Sequence, residues 1–124
     1  MRPIGESQPQ TEVINTEANI VALSWTDVWR VELGENETAT AVANLAVVTG
    51  AGASLKVGQT SARGCCRRRL GEAAAGLSSV ADSALAVDIL GLNSRFVVSA
   101  NDMVLQITAT NNITATVAGT VTRL

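Results

Sequence analysis

The stretch richest in reactive and charged groups is Cys65-Cys66-Arg67-Arg68-Arg69, preceded by Arg63. Clustered guanidinium groups grip phosphate, nucleic acid or a carboxylate-bearing partner. No aromatic residue is interleaved with them, so the stacking platform typical of single-strand binders is missing. An acidic protein surface, on another protein or a sister copy, is therefore the expected partner ahead of nucleic acid or a merely solvated loop. The two cysteines are neighbours in the chain, a placement that strains a mutual disulfide. They read as reduced thiols, and with no further Cys and no His they make a poor metal-ligand set. The missing His also removes Ser-His-Asp and Cys-His pairs and the one side chain that titrates near neutrality.

The remaining chemical candidates are weaker. Asp82 and Asp88 have no second carboxylate at useful spacing and no assisting base, so they read as solvated surface groups. Gly50-Ala51-Gly52 lacks the Lys-Ser/Thr that completes a phosphate loop and reads as a turn. Asn36-Glu37-Thr38 and Asn112-Ile113-Thr114 match the glycosylation pattern, which a Thr-rich chain produces by chance. Trp25 and Trp29 are two of only three aromatics, the third being Phe96. Four residues apart, they share a face if one strand holds both, and core filling is their plainest role. A tryptophan turned to solvent would instead mark an interface anchor or a sugar platform.

The elements that must position these groups are built from small side chains. Ala 19, Gly 10, Ser 9 and Thr 13 dominate a chain of 124 residues, while Val 15, Ile 6 and Thr 13 favour pleated, half-buried surfaces. The length fits one domain. A net charge of −2 is too small for non-specific polyanion binding by the whole molecule. The charge is nonetheless uneven: residues 1–62 hold three basic and seven acidic side chains, residues 63–124 six and four. The first ten residues lack the apolar core of a secretory signal, and no apolar run approaches a membrane span. A soluble protein made in a cytoplasm is expected.

Residues 1–17 are polar, contain Pro3 and Pro9, and read as an arm outside the domain, flexible or ordered on a partner. From Asn19 alternation sets in. A first strand is expected over Ile20–Leu23. Trp29, Val31 and Leu33 alternate with Arg30 and Glu32, and Gly34-Glu35-Asn36 closes that strand. Thr38–Thr49 presents Ala39, Ala41, Ala43, Leu45 and Val47 on one face, and Leu55 with Val57 offers a short strand. Leu70, Ala73, Ala74, Leu77, Val80, Ala81 and Ala84 recur at three- and four-residue spacing, which predicts one helix at about 72–85, weakened by Gly71 and Gly76. Strand texture returns at Leu85, Val87 and Ile89 and over Phe96–Ser99, with a turn at Ser99–Asp102. Met103, Leu105, Ile107 and Ala109 then form one face; Ile113, Ala115, Val117 and Val121 form another. A three-residue loop, Thr110-Asn111-Asn112, keeps both faces on one side of a hairpin, pairing Ile107 with Ala115 and placing Gly119 against Met103. The expected fold is mainly β: an antiparallel β-sandwich or jelly-roll-like barrel (residues 18–124) with one inserted helix and an extended N-terminal arm (residues 1–17).

The Pro-containing arm, the Ala/Thr/Val-rich strands from Asn19 and the C-terminal stretch Met103–Leu124 together resemble small structural proteins of tailed-bacteriophage virions, above all capsid decoration (cement) proteins. That resemblance implies a non-enzymatic protein without cofactor or metal, located in the virion. It would form homo-oligomers, trimers in particular, and clamp the major capsid protein. The Cys-Cys-Arg-Arg-Arg stretch belongs to no decoration-protein pattern. The residues expected to meet the partner are Arg2, Pro3 and Ile4 in the arm, and Arg63, Arg67, Arg68 and Arg69. Membrane and nucleic acid are not expected partners. Two other classes fit the same texture: another virion component (tail, neck or coat subunit), and a stand-alone, lectin-like ligand-binding module.

Overall fold

A computed structural model describes residues 10–49, 56–71, 74–82 and 89–123. Eight strands follow in chain order: β1 (Gln10–Ile20), β2 (Thr26–Glu32), β3 (Glu37–Thr49), β4 (Lys56–Arg68), β5 (Ala74–Asp82), β6 (Asn93–Ser99), β7 (Asp102–Thr108) and β8 (Ile113–Arg123). They build two antiparallel sheets, one ordered β1-β8-β3-β4-β5 and the other β2-β7-β6. Alternation dictates which faces are covered. Along β3 and β8 every second residue is buried and the residues between are mostly exposed, so Ala39 through Val47 and Ile113 through Val121 line one side of the larger sheet.

The covered faces of the two sheets meet. Thr60 of β4 and Ser94 of β6, both buried, share a hydroxyl hydrogen bond of 3.1 Å. Phe96 and Trp29 pack edge to face with centroids 6.1 Å apart. The approach is close enough that two positions must be glycine. A Cβ on Gly64 would lie 2.9 Å from both Met103 Sδ and Phe96 Cβ, and one on Gly119 would lie 2.7 Å from Trp29 Cζ3. A core so poor in aromatics thus gains contact by sinking its few large side chains onto bare backbone.

Four expectations need correction. The predicted helix at about 72–85 is not there: Ala74–Asp82 form β5, paired antiparallel with β4 from Arg68↔Ala74 to Ser61↔Asp82. In a run so rich in Ala, Leu and Val, a three- and four-residue spacing arises without a helix. Gly76, Ser78, Ser79 and Val80 all disfavour one. Gly71, at φ 75°, turns the chain from β4 toward β5. Glu72, Ala73 and Ser83–Leu85 lie outside the described residues.

The last two strands are not a hairpin. β7 lies between β2 and β6, whereas β8 lies between β1 and β3, so residues 109–112 cross from one sheet to the other. The expected faces are nonetheless the buried ones; they oppose each other across the core rather than side by side. For the same reason Gly119 meets Trp29, and it is Gly64 that makes room for Met103.

The N-terminal boundary also moves. Gln10–Glu17 continue into β1 and pair with β8 from Gln10↔Arg123 to Ile20↔Ile113 without a register shift. At the edge of the sheet a strand needs little apolar patterning, because Ile14 and Ala18 are only half-buried. Finally, Val57 belongs to the 13-residue β4 rather than to a short strand. Leu55, the turn expected at Gly50–Gly52 and residues 1–9 are outside the described residues.

Candidate partner-binding surface

Strand alternation divides the cysteine–arginine stretch between two faces of the larger sheet. On β4, Arg63, Cys65 and Arg67 point outward, while Cys66 is buried and Arg68 turns to the covered side. Arg67 Nη1 donates to Thr38 Oγ1 at 2.8 Å, and Thr40 Oγ1 donates to Cys65 Sγ at 3.7 Å. Arg68 Nη1 donates to the Leu33 carbonyl at 3.1 Å. Arg69 follows the strand and is exposed. Of the four expected partner-binding arginines, then, Arg63 and Arg67 share one open face, Arg69 lies at its end, and Arg68 ties the sheets together. Arg2, Pro3 and Ile4 lie outside the described residues.

Around Arg63 and Arg67 the outer face carries mostly small side chains, many of them Thr, with Val13, Val48 and Val57 exposed among them. The neighbouring row on β3 is Thr38, Thr40, Val42, Asn44 and Ala46, and on β8 it is Thr114, Thr116, Ala118, Thr120 and Thr122. On β1 the same face carries Val13, Asn15, Glu17 and Asn19. The arginines stand three strands from Glu17, and because Glu17 lies level with Gln59 of β4 they are also four and eight residues further along, which puts Arg63 about 20 Å and Arg67 about 30 Å from it. The face is therefore basic toward β4 and acidic toward β1. Two open depressions mark it. One of about 160 Å³ lies over Ala118 and Gly119 between Val13 and Val42. The other, about 440 Å³, lies at the β8 start, lined by Asn19, Ile20, Val21, Val48, Thr49, Asn112, Ile113 and Thr114. Neither lining holds a carboxylate, an amine or a thiol, so neither offers an acid, a base or a soft nucleophile.

The opposite end of the larger sheet is closed by an ion-pair cluster that sequence reasoning missed. Arg123 Nε donates to Glu12 Oε1 at 3.0 Å, and its Nη1 donates to Glu37 Oε1 at 3.0 Å and to the Glu32 carbonyl at 2.7 Å. Its signal was present: Arg123 continues the inward phase Val117, Gly119, Val121, so a cation had to end the strand on the covered side.

On the outer face of the smaller sheet, Arg95 stacks over Trp25 with Cζ 3.9 Å from the ring centroid. Arg95 Nε donates to Gln106 Oε1 at 2.9 Å, and Gln106 Nε2 donates to Asp27 Oδ1 at 2.8 Å. Trp25 and Trp29 do not share a face, because a bulge between Asp27 and Trp29 shifts the register. Trp29 enters the core while Trp25 stays half-exposed, one side of its ring taken by Arg95. Beside this network Arg30 Nη1 donates to Asp102 Oδ2 at 2.6 Å, a hydrogen bond that raises the arginine's pKa further above its ordinary value.

The asparagines of the two glycosylation-like triplets serve turns. Asn36, at φ 57°, accepts from the Leu70 amide through Oδ1, and Asn112 Oδ1 accepts from the Ala22 amide at 2.7 Å. Among the described residues no group of three or more His, Cys, Asp or Glu side chains is placed to hold a metal ion, and no helix is long and apolar enough to cross a membrane. No protein-family model, curated protein or solved structure matches the chain.

Proposed function

We propose that the two sheets close as a β-sandwich and that the chain is a non-enzymatic structural protein of a virion. It would bind the capsid as a decoration protein and self-associate. The observation that carries this reading is the outer face of the larger sheet, broad and small-featured, with Arg63 and Arg67 exposed at one side and Glu17 at the other. Such a face suits flat apposition to another protein, where rim charges set register and on-rate more than affinity. The closed sandwich is supported by the Thr60–Ser94 hydrogen bond and by the glycines at which the sheets approach. Against a carbohydrate platform stands Trp25, one ring face of which already carries Arg95.

Co-sedimentation with empty capsids tests the reading. The wild type is expected to bind. The R63S/R67S variant should keep its fold, since exposed charges contribute about 0–1 kcal/mol each. It should nonetheless associate more slowly and with a weaker salt dependence. Failure of the wild type to bind removes the capsid reading. A salt-sensitive shift of DNA or RNA at micromolar protein, lost in the variant, replaces it with nucleic-acid binding.

A further inference from the structure

We propose that two copies of the chain join through the free edge of β1, pairing β1 antiparallel with β1 of the partner subunit about a two-fold axis at Asn15. The five-stranded sheet would then run on through the junction. This deepens the reading of the chain as a self-associating protein and rests on it only for the claim that copies meet.

Among the described residues β1 pairs with β8 alone, which leaves alternate amides and carbonyls along its 11 residues directed outward. Folded chains usually guard such an edge, and the other edges here are guarded. β2 is a 7-residue strand with a bulge and carries Asp27, Arg30 and Glu32. β6 is equally short and carries Arg95. The pairing of β5 with β4 shifts register between Cys65 and Arg67. β1 has none of these devices: no Pro, Lys or Arg, and an unbroken register throughout. Of its two carboxylates, Glu12 is already paired with Arg123 at 3.0 Å. The strand is also under-covered. Val13 is 75% exposed, Thr16 is exposed, and Ile14 and Ala18 are only half-buried.

The edge itself selects a β-strand as occupant, and the sequence of β1 selects a second copy. A two-fold perpendicular to the sheet keeps inward residues opposite inward ones, so the pairing must be symmetric about a residue. The axis at Asn15, the central residue of Gln10–Ile20, is the one symmetric register that uses the whole strand. It sets Ile14 opposite Thr16 of the partner subunit, Val13 opposite Glu17 of the partner subunit, and Glu12 opposite Ala18 of the partner subunit. No carboxylate faces another, and the exposed Val13 covers the stem of a glutamate.

A single-cysteine scan reads the junction directly. In a C65S/C66A background, cysteines are placed one at a time at Thr11, Val13, Asn15, Glu17 and Asn19, and covalent dimers are followed by non-reducing electrophoresis after mild oxidation. At the axis the two Cβ atoms are about 5 Å apart, close to disulfide range. Two residues away they are separated by about 14 Å. N15C is expected to dimerise at least ten times faster than its neighbours, and wild type at tens of micromolar should sediment as a dimer. A monomeric or trimeric wild type overturns the proposal, and so does a dimer whose cross-linking peaks elsewhere or nowhere. Capsid binding is scored separately. A peak at Asn15 without capsid binding retains the junction and removes the virion reading; capsid binding without the peak does the reverse.

Discussion

Replacing Gly64 by alanine adds one methyl group where the two sheets come closest. Its position is set by the backbone: 2.9 Å from Met103 Sδ, 2.9 Å from Phe96 Cβ and 3.0 Å from Phe96 Cγ. Unstrained carbon contacts need about 3.5–4.0 Å, so three atoms must give way together. Met103 can swing its flexible thioether, but it is 0% exposed, so any move is made against other buried side chains. Phe96 Cβ cannot swing at all, since it is anchored to a backbone paired with Leu105 in β6–β7. Overpacking of this kind costs about 1–3 kcal/mol. Against it stands the about 0.5–1 kcal/mol that alanine gains over glycine inside a strand. The net expectation is a loss of about 1–2 kcal/mol, or roughly 3–10 °C in Tm for a domain of this size. Urea unfolding of the two proteins at equal m-value measures it. The sign decides the matter: a G64A protein as stable as wild type, or more stable, would show that the sheets do not meet at Gly64, and the packing derived above would fall with it.

Two further perturbations probe the turn chemistry and the cysteine parity. Ala100, the first residue of the two-residue loop between Ser99 and Asp102, is held at φ 53°, a left-handed conformation costing an L-residue about 1–2 kcal/mol. A100G should therefore raise stability by about 1 kcal/mol in urea titration, the relief being trimmed by the extra entropy of glycine in the unfolded chain. In native protein a thiol reagent should titrate one cysteine per chain, the half-exposed Cys65. Cys66, 1% exposed, should react only at the rate of unfolding. Equal rates at the two positions would contradict their placement on opposite faces.

What could be read in advance was the assignment of faces. Ala39 through Val47, the stretch from Met103 to Ala109 and the stretch from Ile113 to Val121 all bury the residues their alternation points to. A period of two is a local property that survives any choice of neighbour. The neighbours themselves are not local. The same alternation fits a β7–β8 hairpin and a crossover between sheets equally well, and it is the pairing of β7 with β2 and β6, and of β8 with β1 and β3, that separates them. Composition misled where side chains are smallest: alanine at three- and four-residue spacing reads as a helical stripe, yet around Gly76 and Ser78-Ser79 the free edge of β4 supplies a ladder that a lone, glycine-broken helix could not match.

The candidate surface shows the same limit in a sharper form. Adjacent arginines look like one cluster in a sequence, but on a strand adjacent means opposite. Arg67 therefore reaches Thr38 on the open face while Arg68 reaches the Leu33 carbonyl on the covered side. A bulge does the converse to the tryptophans, placing a pair with matching parity on different faces. Charge counted along the chain becomes a surface only once strand parity, bulges and sheet order are known. Under that rule the arginine stretch contributes Arg63 and Arg67 to the outer sheet face, Arg69 to its end and the half-buried Arg68 to the covered side. Among the described side chains the acidic counterpart on that face is Glu17, brought to it by β1.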